Sequence, residues 1–257
     1  MKIGVFDSGL GGLTVLKAFL KELPQYDYVY FGDNARVPYG NRSPEVIYQF
    51  TKEAIDFLVE KNCQLIIIAC NTSTSTSLRK IQRDYLPKKY PHIKVLGIIR
   101  PVIEKITLDE KPKKIGVIGT KATVNSQAFI REIKKTLPKV EIYQQACPLL
   151  VPYIEDSMKN KKVLQLLLQE YLRPLIKKKI THLILGCTHY EIIKKEIKEI
   201  VGKNVEVITE GKIAALKLRD YLSRHREIEK KLSKNSQVEY HFSDKNSDYK
   251  KLMEVFL

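Results

Sequence analysis

Two stretches of this chain end alike. Leu65–Thr74 reads LIIIACNTST, and Leu183–Tyr190 reads LILGCTHY. Each is a short apolar run that stops at a small residue, then cysteine, then hydrogen-bonding side chains. Apolar runs this short and unbroken suit strands of a parallel sheet buried on both faces. A parallel sheet demands crossover connections, so the chain must alternate strands and helices. Each cysteine then falls at the carboxyl end of its strand, the edge where open α/β sheets bind ligands. A second recurrence accompanies the first: KIGVFD at Lys2–Asp7 is echoed by KIGVIG at Lys114–Gly119. Lys2 to Lys114 spans 112 positions and Cys70 to Cys187 spans 117, so both features repeat at nearly one offset.

That spacing reads as a duplicated half. It predicts an α/β fold: two Rossmann-like α/β domains with parallel sheets, related by pseudo-twofold symmetry, with the active site in the interdomain cleft where the cysteine loops meet. A single TIM barrel nearly fits the element count, but gives no reason for both motifs to recur together. The expected division is 1–98 plus 210–257 for the first domain, its C-terminal segment packed back on it, and 99–209 for the second.

Helical spacing of Leu13, Leu16, Phe19, Leu20 and Leu23 predicts a helix after the glycine-rich turn Asp7–Gly12, closed by Pro24. A helix is expected over 75–85, and a strand over 95–99 stopped by Pro101. In the second half, a strand is expected over 141–144 and a helix over 162–176 despite Pro174. A helix over 213–221 and a last pairing over 238–242 follow.

Composition narrows the function. No apolar run approaches the roughly 20 residues of a membrane span. The opening MKIGVFDSG lacks a charged leader followed by an apolar core, so a cytoplasmic location is expected. None of the four cysteines forms a C-x-x-C pair, which argues against zinc and thioredoxin chemistry; free thiols are expected. Cys63 and Cys147 lack polar neighbours and read as packing residues. The net charge of +16 raises the question of nucleic acid. The lysines, however, are spread in doublets and triplets with no basic tail or DNA-binding motif, as on a solvated surface.

Cys70 and Cys187 are different. Each precedes residues that can begin a helix, a position that favours thiolate, and Asn71-Thr72-Ser73 and Thr188-His189-Tyr190 offer donors suited to a carboxylate. Asp7, Ser8 and Thr120 end strands of the same sheets and should line the same cleft. Two opposed thiols suit inversion of a carbon centre: one thiolate removes a Cα proton while the other thiol supplies a proton to the opposite face. Asp7 and His189 can act as auxiliary proton carriers. Asp-Ser-Gly-Leu-Gly-Gly fits neither the dinucleotide nor the P-loop spacing. Val37–Gly40 reads either as an ordinary turn or as one that lets Tyr39 cap the cleft. His92, His182, His225 and His241 stand alone and read as structural.

With these residues in view, the chain resembles the cofactor-independent glutamate racemases of the aspartate/glutamate racemase superfamily. The matching segments are FDSGLGGLTV at Phe6–Val15, ARVPYG at Ala35–Gly40, ACNT at Ala69–Thr72, GTKAT at Gly119–Thr123, ACPL at Ala146–Leu149 and GCTHY at Gly186–Tyr190. The resemblance implies PLP-independent interconversion of L- and D-glutamate, with no cofactor or metal, supplying D-glutamate for peptidoglycan. By position it implies that Cys70 handles the α-proton of the D-isomer and Cys187 that of the L-isomer. Asp7, Ser8, Tyr39, Gly40, Asn71, Thr72, Thr188 and His189 would hold substrate, with Asp7 and His189 also assisting the thiols. Glu155 matches a glutamate near the cleft of relatives. A homodimer is expected, without membrane or nucleic-acid partners. Arg100, Phe129, Glu191 and Thr209-Glu210-Gly211 depart from the family pattern. The alternative within the same chemistry is an aspartate racemase; those from other classes are a basic nucleic-acid-binding or regulatory protein on the same fold and a thiol redox protein.

Overall fold

The computed structural model describes residues 1–109, 112, 114–156, 160–244 and 256. The first unit runs β1 (Lys2–Asp7), α1 (Leu13–Glu22), β2 (Tyr28–Gly32), α2 (Pro44–Glu60), β3 (Cys63–Ile68), α3 (Asn71–Lys80), α4 (Leu86–Lys89) and β4 (Lys94–Gly97). Helix α5 (Ile99–Asp109) leads to β5 (Lys114–Gly119), α6 (Lys121–Asn125), α7 (Ala128–Thr136), β6 (Glu141–Ala146) and α8 (Leu150–Glu155). Then come α9 (Lys161–Lys177), β7 (His182–Gly186), α10 (Lys194–Val201) and β8 (Glu206–Ile208). The chain closes with α11 (Gly211–Arg224), α12 (Arg226–Glu229) and β9 (Val238–Phe242).

Two open sheets result, β4-β3-β1-β2-β9 and β6-β5-β7-β8, so the fold is not a closed barrel. Every strand pairing among the described residues is parallel. Read from its other edge, the second sheet runs β8-β7-β5-β6, the same order as β4-β3-β1-β2, with the two KIGV strands in equivalent places. In each sheet the chain leaves the KIGV strand toward one edge and leaves the cysteine-bearing strand toward the other. The crevices between β1 and β3, and between β5 and β7, are therefore topological switch points, where α/β sheets leave room for a ligand. Cys70 and Cys187 each follow the strand at one of them.

Packing explains the strands. The two-residue period sends Leu65 and Ile67 of β3 into one apolar cluster, and Ile66 and Ile68 into another on the opposite face. The first cluster also holds Ile115, Val117, Leu183 and Ile184, so one core joins the two sheets. Helix α11 packs against α1, burying Ala214, Ala215, Leu218 and Leu222 at helical spacing. Strand β9 adds to β2 in parallel. Of the expected C-terminal segment, residues 245–255 and 257 lie outside the described residues.

Local expectations need three corrections. Pro101 does not stop a strand: β4 ends at Gly97, and Pro101 lies in the first turn of α5, where a missing N–H costs nothing. The helix expected over 75–85 begins at Asn71 and passes into a π-helical segment at Ile81–Tyr85. The stretch after Cys187 is a four-residue 3-10 turn, Thr188–Glu191, rather than an α-helix, and the Cys187 side chain does not cap it. Among the described residues no helix is long and apolar enough to cross a membrane.

Candidate active site between the two cysteine loops

Cys70 caps α3: its Sγ accepts from the Ser73 backbone N–H at 3.5 Å and its S–H donates to Ser8 Oγ at 3.4 Å. Thus β3 and β1, neighbours in the sheet, deliver the thiol and its partner together. Cys187 ends β7 on the other sheet, with its Sγ 3.8 Å from His189 Nδ1. Both cysteines line one cavity, shared with Ser8, Tyr39, Gly40, Asn71, Thr72, Thr120, Thr188 and His189. Asp7 stands just behind it, fully buried. Its Oδ2 accepts from the Gly9 N–H at 2.9 Å and its Oδ1 accepts from Thr188 Oγ1 at 3.3 Å. Every residue that the sequence offered as catalytic or substrate-binding is therefore at or beside this one crevice. The four cysteines are all free and buried.

Hydrogen bonds stitch the two units across the cleft. Thr72 Oγ1 lies 2.9 Å from Thr120 Oγ1, which lies 3.0 Å from Thr123 Oγ1. Two glycines make the close approach possible. A Cβ on Gly40 would stand 2.5 Å from Thr120 Cβ, and one on Gly11 only 2.3 Å from Thr188 Oγ1 and 2.4 Å from His189 Nδ1. The glycine-rich turn thus makes room for the cysteine loop of the opposite sheet. The cavity left between the loops is about 20 Å³, the size of one water molecule. A far larger one, about 480 Å³, lies elsewhere among Arg79, Arg100, Arg131 and Tyr221, and neither catalytic candidate thiol reaches it.

Burial sets the electrostatics. Burial pushes the Cys70 thiol up to about 11, and the neighbouring Asp7 carboxyl adds to this; bonds from Ser8 and Ser73 only partly oppose it. The expectation that a helix N-terminus would lower this thiol is therefore corrected: desolvation in the closed cleft outweighs the helix end. Forming the Cys70 thiolate there costs roughly 3 kcal/mol more than in water. Asp7 is itself raised by burial, with His189 nearby opposing the shift. For His189 burial disfavours the charge, but hydrogen bonds to Cys187 and Glu155 prevail and hold it well above its ordinary value. Its Nε2 lies 2.9 Å from Glu155 Oε1. The ring of Phe256 meets it edge-on at 5.8 Å.

Tyr39 is a buried wall, its hydroxyl donating to Asp33 Oδ2 and its ring packed by Phe6 and Phe50. Cys63 and Cys147 are 1% exposed and lie in the packed interior, away from the cleft lining. Sequence reasoning missed Asp33, which anchors Tyr39, and gave no role to Glu210, whose carboxyl bonds Asn71. Neither carries a motif; only burial reveals them. Among the described residues no group of three or more His, Cys, Asp and Glu side chains is placed to hold a metal ion.

Comparison with known proteins agrees with this architecture. The profile of the Asp/Glu/Hydantoin racemase family matches residues 3–218. The glutamate racemase of Aquifex aeolicus is 38% identical over 257 residues, covering 100% of this chain and 94% of that protein. That of Geobacter metallireducens is also 38% identical, covering 94% and 87%. Among solved structures, glutamate racemase from Francisella tularensis in complex with D-glutamate superposes with a TM-score of 0.89 at 35% identity, covering 100% of this chain and 93% of that one. The Picrophilus torridus aspartate racemase shares the fold at 18% identity and a TM-score of 0.58, covering 87% of this chain and 95% of that one. The chain belongs to the Asp/Glu/hydantoin racemase family.

Proposed function

We propose that this protein is a glutamate racemase that inverts Cα by two thiols without PLP. The observation that carries the reading is the shared cavity: Cys70 and Cys187 reach it from equivalent strands of two sheets. Supporting it are the relatives named glutamate racemase and the similar structure that holds D-glutamate.

In this reading one sulfur, as thiolate, takes the Cα proton, and the opposite S–H supplies a proton to the other face. Cys70 serves the D-isomer and Cys187 the L-isomer. Ser8, Tyr39, Gly40, Asn71, Thr72 and Thr188 hold the substrate, while Asp7 and His189 pass protons to and from the thiols. The described groups that act on the buried Cys70 thiol, Asp7, Ser8 and Ser73, carry no positive charge, so the substrate's own α-ammonium supplies the charge that makes its thiolate accessible. His189, as imidazolium, faces Cys187 and returns its proton. A 20 Å³ cavity cannot contain an amino acid, so the cleft opens to admit substrate and closes to exclude water, which strengthens every interaction inside. The division into 1–98 with 210–257, and 99–209, provides two bodies for that movement. The same reading puts the protein in the cytoplasm as a homodimer that supplies D-glutamate for peptidoglycan.

The test is incubation of L- and D-glutamate, and in parallel of both aspartates, in D₂O without added PLP or metal. Deuterium should enter the α-position of both glutamates. Exchange confined to aspartate would replace glutamate as substrate, and exchange of neither would remove the racemase reading.

A further inference from the structure

One buried carboxyl near the cleft has no place in the chemistry above. Glu210 precedes α11 and is 3% exposed, in a stretch that departs from the family pattern. Its Oε2 accepts from Asn71 Nδ2 at 2.5 Å, linking positions 139 residues apart. The other ends of this pair, Glu210 Oε1 and Asn71 Oδ1, are both buried without a partner among the described residues. Asn71 lines the cleft, so its unpartnered amide position is the one left for substrate. Glu210 packs beside Cys187, Thr188 and Glu191 with no room for a water molecule between them.

We propose that Glu210 is a positioning residue, which fixes the way round the Asn71 amide is held and so decides whether Asn71 offers substrate a donor or an acceptor. The proposal rests on the racemase reading of the cleft. An ionised Glu210 can only accept, which commits Nδ2 to it and leaves Oδ1 for the ligand. A neutral Glu210 can donate as well as accept; when its O–H points to Asn71 the amide turns over, Oδ1 accepts the carboxyl O–H, and Nδ2 becomes available to a substrate carboxylate.

The surroundings favour the neutral form. Burial raises Glu210 well above its ordinary value, the Asn71 bond opposes this, and the Glu191 and Asp7 carboxyls reinforce it. Glu191 is also raised by burial, opposed by Lys194 and Lys17. Among the described residues, Asp7 on β1, Glu191 in the turn after β7 and the Cys187 thiol are the titratable groups that face Glu210. As pH rises through its elevated pKa, Glu210 ionises, Asn71 reverses, and substrate binding weakens.

The experiment compares KM and kcat for glutamate in the wild type, Glu210→Gln, Glu210→Ala, Asn71→Ala and the Glu210→Ala/Asn71→Ala double variant, from about pH 6 to 10. Glutamine imitates the neutral acid and does not titrate. Glu210→Gln should keep a near-normal KM at neutral pH and lack the alkaline rise in KM expected of the wild type. Glu210→Ala should raise KM about tenfold, the range of one hydrogen bond to a charged group, with a smaller change in kcat. In the Asn71→Ala background it should change nothing further. An unaltered KM in Glu210→Ala, an undiminished effect without Asn71, or an alkaline limb retained in Glu210→Gln would overturn the assignment. Wild-type protein inactive toward glutamate and aspartate alike would instead remove the racemase reading itself. Melting temperatures of all variants separate misfolding from mispositioning.

Discussion

His189 sits between a thiol and a carboxylate, with Cys187 Sγ at 3.8 Å on one ring nitrogen and Glu155 Oε1 at 2.9 Å on the other. Desolvation alone would strip its proton; the two acceptors retain it. Replacing Glu155 by glutamine removes one acceptor charge, and burial should then prevail. The His189 titration, followed by imidazole NMR, should move down by at least about one pH unit, and kcat should fall while Cys187 stays in place. An unmoved titration would show that Cys187 alone holds the proton. The protonated His189 also contributes stability that is complete below about pH 6.5 and fades as pH rises through its elevated folded value. At this scale the sequence was most legible for Cys70, Cys187, Asp7 and His189, since each abuts a strand end that the apolar pattern locates. Glu210 and Asp33 were not legible, because their roles come from a contact across 139 residues and from the hydroxyl of a buried tyrosine, respectively. The protonation of Cys70 was misjudged for a related reason. Sequence shows the helix that follows a thiol, not the depth at which the thiol lies.

At the level of elements, the turn between β1 and α1 is the tightest constraint on the site. It passes so close to the Cys187 loop that Gly11 admits no side chain. The Gly11→Ala variant must push Thr188 and His189 away from Cys187. Activity should fall by about two orders of magnitude, the penalty expected of a displacement near 1 Å. Stability should drop by about 1–3 kcal/mol, as in other overpacked sites; kcat and the urea midpoint measure the two effects. Full activity would mean that the turn yields without cost. Strands and helices were largely readable because period-two burial, helical spacing and glycine-rich turns act locally. The errors occurred at ends. Pro101 was read as a stop because proline ends strands as readily as it begins helices, and the short turn after Cys187 lacks the periodic residues that would distinguish it from a helix.

The whole molecule carries an unusual set of protons. Burial raises Asp7, Glu191, Glu210 and Cys70 together, so the folded chain binds more protons than the unfolded chain above about pH 4.5. Stability must therefore fall as pH rises through their elevated values, by at most ~1.4 kcal/mol per pH unit for each group titrating. The opposite limb comes from groups such as Asp27. Burial pushes it up, but bonds from Gln237, Ser233 and Asn235 prevail and hold it at about 2; its contribution is lost as pH falls toward that value. Urea unfolding should thus show a mildly acidic optimum, with an alkaline decline that is shallower in Glu210→Gln. A flat alkaline limb in the wild type would mean that these carboxyls are already ionised in the folded cleft. The doubling of the chain was visible in the KIGV and cysteine repeats, and the matched strand orders give it a topological form. The closeness of the two units was not visible, because it depends on glycine and threonine contacts between them.

Two sulfurs on opposite faces of one stereocentre remain the central claim, and single-cysteine variants test it most directly. Circular dichroism or polarimetry of glutamate should show racemisation lost by about a thousandfold or more in Cys70→Ala and in Cys187→Ala alike, since each removes one proton carrier outright. Both variants should keep the wild-type fold. Either variant racemising at the wild-type rate would contradict the two-thiol account.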